Sequence, residues 1–243
     1  LKDDREIVLE AVKQNGYALE YASVAVKDDR EIVLEAVKQD GSALQFASAA
    51  LQDDREIVLE AVKQDGRALR YASAAQRDDR EIVLEAVKQN GYALEYASAA
   101  LQGDREIVLA SLATSRCVSR CALMYASDAL THDRDFMLEA VKHNRHALVY
   151  ASGALKNDRE VVMQAIRKNG SALSYASAAL QDDREVVLEA VNQEGAAIRY
   201  ASVALRDDRD LILVSLETGG GRGRVRLGNN RNRGGISHGT VMV

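Results

Sequence analysis

An Asp-Arg-Glu triplet returns along this chain with a step of 25 residues, and that period limits the fold more than any other feature. It begins at Asp4, Asp29, Asp54, Asp79 and Asp104, then resumes at Asp133 (as Asp-Arg-Asp), Asp158, Asp183 and Asp208 (again Asp-Arg-Asp). The step from Asp104 to Asp133 is 29, so four residues are inserted there. A second marker, Tyr-Ala-Ser or Phe-Ala-Ser, keeps register with the first at Tyr21, Phe46, Tyr71, Tyr96, Tyr125, Tyr150, Tyr175 and Tyr200. Two markers in phase define a tandem array, whose units bury their apolar faces against one another. The nine copies are numbered here as units 1 to 9 by their leading aspartates.

Unit 1 predicts two helices joined by a turn. Its first half, Asp-Arg-Glu-Ile-Val-Leu-Glu-Ala-Val-Lys-Gln, starts with a capping aspartate and carries Glu6 early and Lys13 late, which suits the helix dipole. Asp3 with Glu6 has capping-box spacing, but the Asp4 position recurs in all nine copies while the Asp3 position becomes Gly103, His132 or Asn157, so Asp4 is the expected cap. Gly16 is expected to end this helix in a left-handed conformation. Ile7, Val8, Ala11 and Val12 share one face, and Leu9 widens it. The second half is expected to be one helix with Ala18, Leu19, Ala22, Ala25 and Val26 on its buried face. Helices of about ten residues are marginal alone, so stability must come from the interfaces between units.

The unit is too short for a tetratricopeptide or HEAT repeat, and it lacks the strand signature of a leucine-rich repeat. Its order Asp-Arg-Glu-(Ile/Val)-Val-Leu-Glu-Ala-Val, Asn-Gly, Ala-Leu-x-Tyr-Ala-Ser resembles the repeat of domain-of-unknown-function family 4116, from roughly Leu1 to Leu216. The resemblance implies a helical repeat protein and implies no activity, so no site is carried over from it. The expected fold is therefore an all-α solenoid of 25-residue helix–turn–helix repeats over 1–216, with an irregular unit near 110–121. A disordered Gly/Arg-rich tail is expected over 217–243.

Charge separates these two parts. After Glu217 the chain has five arginines (222, 224, 226, 231 and 233) and no acidic residue, so the formal net charge of −5 leaves −10 on the rest of the chain. An acidic body argues against the array gripping nucleic acid, while the tail resembles Arg-Gly segments that touch RNA through charge. That tail lacks the interleaved aromatics that stack bases. No apolar run approaches a membrane span. Two cysteines, Cys117 and Cys121, are too few for a disulfide framework, which points to a reducing, intracellular setting without fixing the compartment. Oligomeric state and partner identity are not encoded in any motif.

Several clusters invite chemistry. Cys117, Cys121, His132, His143 and His146 crowd the irregular region, but His132 and His143 fall at opposite ends of one helix, about 16 Å apart, so no shared metal is expected. Arg145 takes the glycine slot of unit 6, and if that slot is left-handed, Arg145→Gly should raise the melting temperature. The arginine after each leading aspartate, from Arg5 to Arg209, reads either as a structural ladder to the neighbouring helix start or as a periodic ligand-binding row. Paired carboxylates such as Asp3 and Asp4 are copied along the array, which fits capping rather than acid–base catalysis with its two distinct environments. With no phosphate loop or nucleophile elbow either, neither enzyme activity nor a cofactor is expected.

Variation inside the repeated frame is the functional signal. Position 17 of the unit reads Tyr17, Ser42, Arg67, Tyr92, Cys121, His146, Ser171, Ala196, and position 20 reads Glu20, Gln45, Arg70, Glu95, Met124, Val149, Ser174, Arg199. Both columns should line one continuous surface. The candidate contact residues are Tyr17, Glu20, Arg67, Arg70, Tyr92, Glu95, His146 and Arg199, in a noncatalytic scaffold that binds a protein partner. A nucleic-acid-associated protein acting through the tail is the alternative.

Overall fold

The computed structural model describes residues 2–114 and 122–219. The cysteines of the irregular unit and the tail from 220 onward lie outside the described residues. Every regular element among the described residues is helical. Nine long helices among the described residues (Arg5–Gln14, Arg30–Gln39, Arg55–Gln64, Arg80–Gln89, Arg105–Thr114, Arg134–His143, Arg159–Lys168, Arg184–Gln193 and Arg209–Gly219) stack in chain order, each on the next. A second row of 3-10 helices runs beside them, such as Gly41–Phe46, which packs against both its own long helix and that of the following unit. The protein is thus an all-α solenoid whose core is a series of interfaces.

The leading aspartate caps each long helix. In unit 2 the Asp29 carboxylate accepts from the backbone N–H of Glu31 at 3.0 Å and of Ile32 at 3.2 Å. The apolar stripe then buries: Ile32, Val33, Ala36 and Val37 are fully covered, as are their counterparts in units 3 and 4. Burying each large aliphatic side chain contributes roughly 1.5–3 kcal/mol, so the stacked stripes dominate the stability.

Two polar devices repeat at the junctions. The arginine after the cap reaches the next unit, as where Arg30 bonds to the Asp54 cap at 3.0 Å and to Glu56. The serine of Tyr-Ala-Ser donates its backbone N–H to the preceding unit, for example from Ser73 to the Gln52 carbonyl at 2.9 Å. Its hydroxyl donates to the aspartate before the cap, as from Ser73 to Asp53, and so closes the unit on itself. These bonds explain why the serine and both aspartates recur.

The second half of the unit is not one helix. Residues Gly16–Tyr21 form a 3-10 helix, Ala22 and Ser23 are extended (ψ 157° and 165°), and Val24–Lys27 form a separate short helix. The break follows from the serine N–H bonding across to the neighbouring unit instead of back along a helix. It also resets the helical phase, so Ala25, Ala50 and Ala75 are exposed, not on the buried face expected from a continuous helix.

The glycine also has a different role from the one expected. Gly16, Gly41, Gly66, Gly170 and Gly195 avoid the left-handed region, and Asn15 before Gly16 is extended (φ −154°). The Asn15 side chain accepts from the Tyr17 N–H at 3.0 Å and so caps the 3-10 helix. Glycine is needed because the next unit approaches too closely for a side chain: a Cβ on Gly41 would lie 2.2 Å from the Ala61 carbonyl oxygen. The strain argument for Arg145 therefore fails. In unit 6 the 3-10 helix starts only at Ala147, and Arg145 turns out to solvent.

Units 5 and 9 depart from the rest in the same way. Their long helices carry Ser-Leu-x-Thr, at Ser111–Thr114 and Ser215–Thr218, where the others carry Ala-Val-Lys-Gln or a close variant. Thr114 donates its hydroxyl to the Val87 carbonyl at 2.8 Å, and Thr218 to that of Val191 at 2.9 Å. Each thus ties its helix end to the preceding unit.

Candidate interaction surface

The 3-10 helices stack on one another in chain order and align positions 17, 20 and 21 of successive units. A 3-10 helix brings residues three apart onto one side, which places positions 17 and 20 together. Tyr17, Arg67 and Ala196 are exposed at position 17, while Ser42, Tyr92, His146 and Ser171 are half-buried. At position 20, Glu20, Arg70, Glu95, Met124 and Arg199 are exposed. The backbone N–H is held by the side chain two residues earlier at Tyr17, Ser42, Arg67, Tyr92, His146 and Ser171; the Tyr92 N–H donates to Asn90 at 3.1 Å, and the His146 N–H to Asn144 at 2.8 Å. Partial burial, then the charge of Arg145, hold the His146 imidazole below its usual pKa.

In six units the marker aromatic at position 21 forms the floor of this row, whereas Tyr21 and Tyr175 are exposed. Phe46, Tyr71, Tyr96, Tyr125, Tyr150 and Tyr200 are half-buried against the core. Variable residues lie on these rings. Tyr17 meets Phe46 edge-on with centroids 5.6 Å apart. The Arg70 guanidinium sits 5.0 Å from the Tyr71 centroid and 5.9 Å from that of Tyr96, and Arg199 sits 4.7 Å from that of Tyr200. Such cation–π contacts preorganise an arginine; Arg199 also donates to the Tyr200 hydroxyl at 2.6 Å. A cleft of about 180 Å³ opens between units 2 and 3, lined by Ser42, Asp65, Arg67, Arg70 and Tyr71.

The arginines after the caps are committed elsewhere. From Arg5 to Arg184 each pairs with an acidic residue of the next unit, which accounts for their recurrence as a structural ladder. Partial burial raises the pKa of Asp54, but hydrogen bonds from Arg30 and the Ile57 N–H outweigh it and hold the carboxyl below the usual range. At Asp158 the bond from Arg134 is the largest influence and acts in the same direction. Half-exposed rungs of this kind are screened by solvent and contribute little individually.

Among the described residues, no three His, Cys, Asp or Glu side chains converge as a metal site. His132 turns its Nδ1 to the Asp128 carbonyl at 2.7 Å, and the Cys117–Cys121 part of the cluster lies outside the described residues. No helix among them is long and apolar enough to cross a membrane.

Reasoning from sequence missed Gln76 and Arg77. Position 26 reads Val26, Leu51, Gln76, Leu101, Leu130, Leu155, Leu180, Leu205, so one polar residue stands in an apolar column. That column carried the signal.

The architecture defines a class first: an α-helical tandem-repeat protein. Within that class the chain belongs to the family described as Domain of unknown function (DUF4116), which matches residues 1–27, 29–75, 79–131, 113–155, 133–181 and 183–220. Successive matches overlap only around the 29-residue step. No curated protein and no solved structure matches the chain.

Proposed function

We propose that this chain is a noncatalytic scaffold that engages a protein partner along the row of 3-10 helices. The observation that carries the reading is the contrast between fixed and variable positions. Caps, ladder arginines, serines and glycines are held by contacts within or between units, whereas positions 17 and 20 differ from unit to unit on an accessible, aromatic-floored surface. Aromatic and arginine side chains are the types that anchor protein interfaces. The acidic pairs at the helix starts are occupied as caps and serine acceptors, which favours a structural over a catalytic role for them.

The test is capture of a partner by the whole chain. Combined Tyr17→Ser, Arg67→Ser, Tyr92→Ser and Arg199→Ser should abolish capture, while removal of residues 219–243 should leave it intact. The five tail arginines and the acidic array favour a second reading, in which the tail contacts RNA through charge. Salt-sensitive RNA binding that disappears with the tail, together with partner capture indifferent to the four substitutions, would establish that reading instead.

A further inference from the structure

Unit 3 gathers three arginines and one out-of-place glutamine within eleven residues. Arg67 and Arg70 occupy its two variable positions, Gln76 replaces the aliphatic residue of position 26, and Arg77 follows at position 27. In units 2, 4 and 7 a glutamine at position 27 caps the 3-10 helix, as where the Gln52 amide donates to the Leu44 carbonyl at 3.2 Å. Arg77 makes no such bond: its Nε is buried and without a hydrogen-bond partner among the described residues, as is Oε1 of Gln76. The short helix is reduced to a 3-10 turn over Gln76–Asp78 in unit 3, and to a turn at 49–52 in unit 2, so this change is not special to unit 3.

These arginines bracket two neighbouring clefts. Arg67, Arg70 and Tyr71 line the one of about 180 Å³, and Arg77 and Tyr96 line another of about 240 Å³. Arg70 links them by lying over both tyrosine rings, and it has no ion pair among the described residues. Three nearby carboxylates are already engaged, Asp65 by Arg67 at 3.4 Å, Asp78 by the Ser98 hydroxyl, and Asp79 as cap and partner of Arg55, and the exposed Glu95 forms no ion pair with these arginines among the described residues. A buried guanidinium nitrogen without an acceptor costs free energy that an incoming acceptor would recover.

We propose that unit 3 is the anion-recognising unit of the scaffold, and that it binds a carboxylate-rich peptide segment of the partner across Arg67, Arg70 and Arg77. Planar carboxylates match the paired donors of guanidinium. The acidic array around this basic unit favours a short run of carboxylates confined to unit 3 over a long polyanion, whose charge would extend along the neighbouring units. The inference rests on the protein-scaffold reading and adds the chemistry of the partner.

Fluorescence anisotropy of a labelled glutamate-rich peptide with the full chain tests it. Saturable binding is expected, weakened at least about tenfold by Arg70→Glu with Arg77→Gln, and unchanged by Arg159→Gln, which removes a ladder arginine far from the clefts. Arg67→Ser alone should weaken binding by a smaller factor. Circular dichroism establishes that the variants remain folded, and Arg70→Lys should restore only part of the affinity because the forked donor is lost. The proposal is overturned if the peptide fails to bind, if binding is indifferent to these substitutions, if it depends on residues 219–243, or if an oligoribonucleotide binds the same arginines more tightly. If a partner is still captured through Tyr17, Tyr92 and Arg199 while the acidic peptide fails, the scaffold reading stands and this inference alone falls.

Discussion

The junction between units 3 and 4 and the one between units 5 and 6 use the same motif under different constraints. In the regular junction Arg55 pairs with the Asp79 cap at 3.0 Å and with Glu81. At the seam Arg105 lies 3.7 Å from Asp133, finds Glu139 at 2.9 Å one turn further along the helix, and stacks 5.6 Å from the Phe136 ring centroid. The apolar core nonetheless continues through the seam, with Phe136, Met137 and Ala140 fully buried. Burial therefore sets the stacking, and the long, adaptable arginine finds whichever carboxylate the stacking brings near.

That comparison can be broken most severely at the close approaches. Gly66→Ala places a methyl 2.2 Å from the Ala86 carbonyl oxygen, which belongs to backbone that cannot rotate away. A loss of about 3 kcal/mol, the upper end of overpacking, is expected by thermal or urea unfolding. A loss under about 0.5 kcal/mol, the range of an ordinary surface change, would refute the tight contact.

The caps come next. Asp79 accepts from two backbone N–H groups, Glu81 at 2.9 Å and Ile82 at 3.1 Å, whereas Asp133 accepts from Phe136 alone. Asp79→Ala should cost about 1–2 kcal/mol, and Asp133→Ala should cost less. The pH dependence has a definite sign. Although burial raises the Asp79 pKa, the Ile82 N–H and Arg55 outweigh it, so the folded-state pKa is depressed. The stabilisation is present above the unfolded-state value of about 4 and is lost as pH falls through the folded-state value. An acid titration of the melting temperature should steepen below about pH 4, and less so in Asp79→Asn. Equal acid sensitivity in the two proteins would remove Asp79 from the explanation.

The smallest effect is expected where the array has already loosened. Arg145 is exposed and its turn stores no left-handed strain, so Arg145→Gly should lower stability by about 0.5–1 kcal/mol through backbone entropy alone. A rise in melting temperature would mean that glycine restores the close approach made by the other units.

The sequence disclosed the helical solenoid because its two markers repeat nine and eight times over, with the Ile-Val-x-x-Ala-Val stripe or a variant of it in each unit, and repetition averages out local ambiguity. It disclosed the Asp4-type cap in the same way, by the variation at Asp3. Within six residues, Gly16 to Tyr21, apolar spacing does not separate a 3-10 helix from an α-helix, so the break at Ala22 and Ser23 was not legible. For the candidate surface, sequence alone aligned positions 17 and 20. The stacking of Arg70 on Tyr71 and Tyr96 joins residues of units 3 and 4 and depends on how those units pack.

The sequence by itself thus determined the number of units, their register and the covered stripe of the long helices of units 2 to 8, since these depend on periodicity along the chain. Only the tertiary structure decided why glycine recurs, which carboxylates the ladder arginines take, and which basic side chains of unit 3 remain uncommitted. Each of those depends on atoms about one repeat apart, brought together by packing that no single unit encodes.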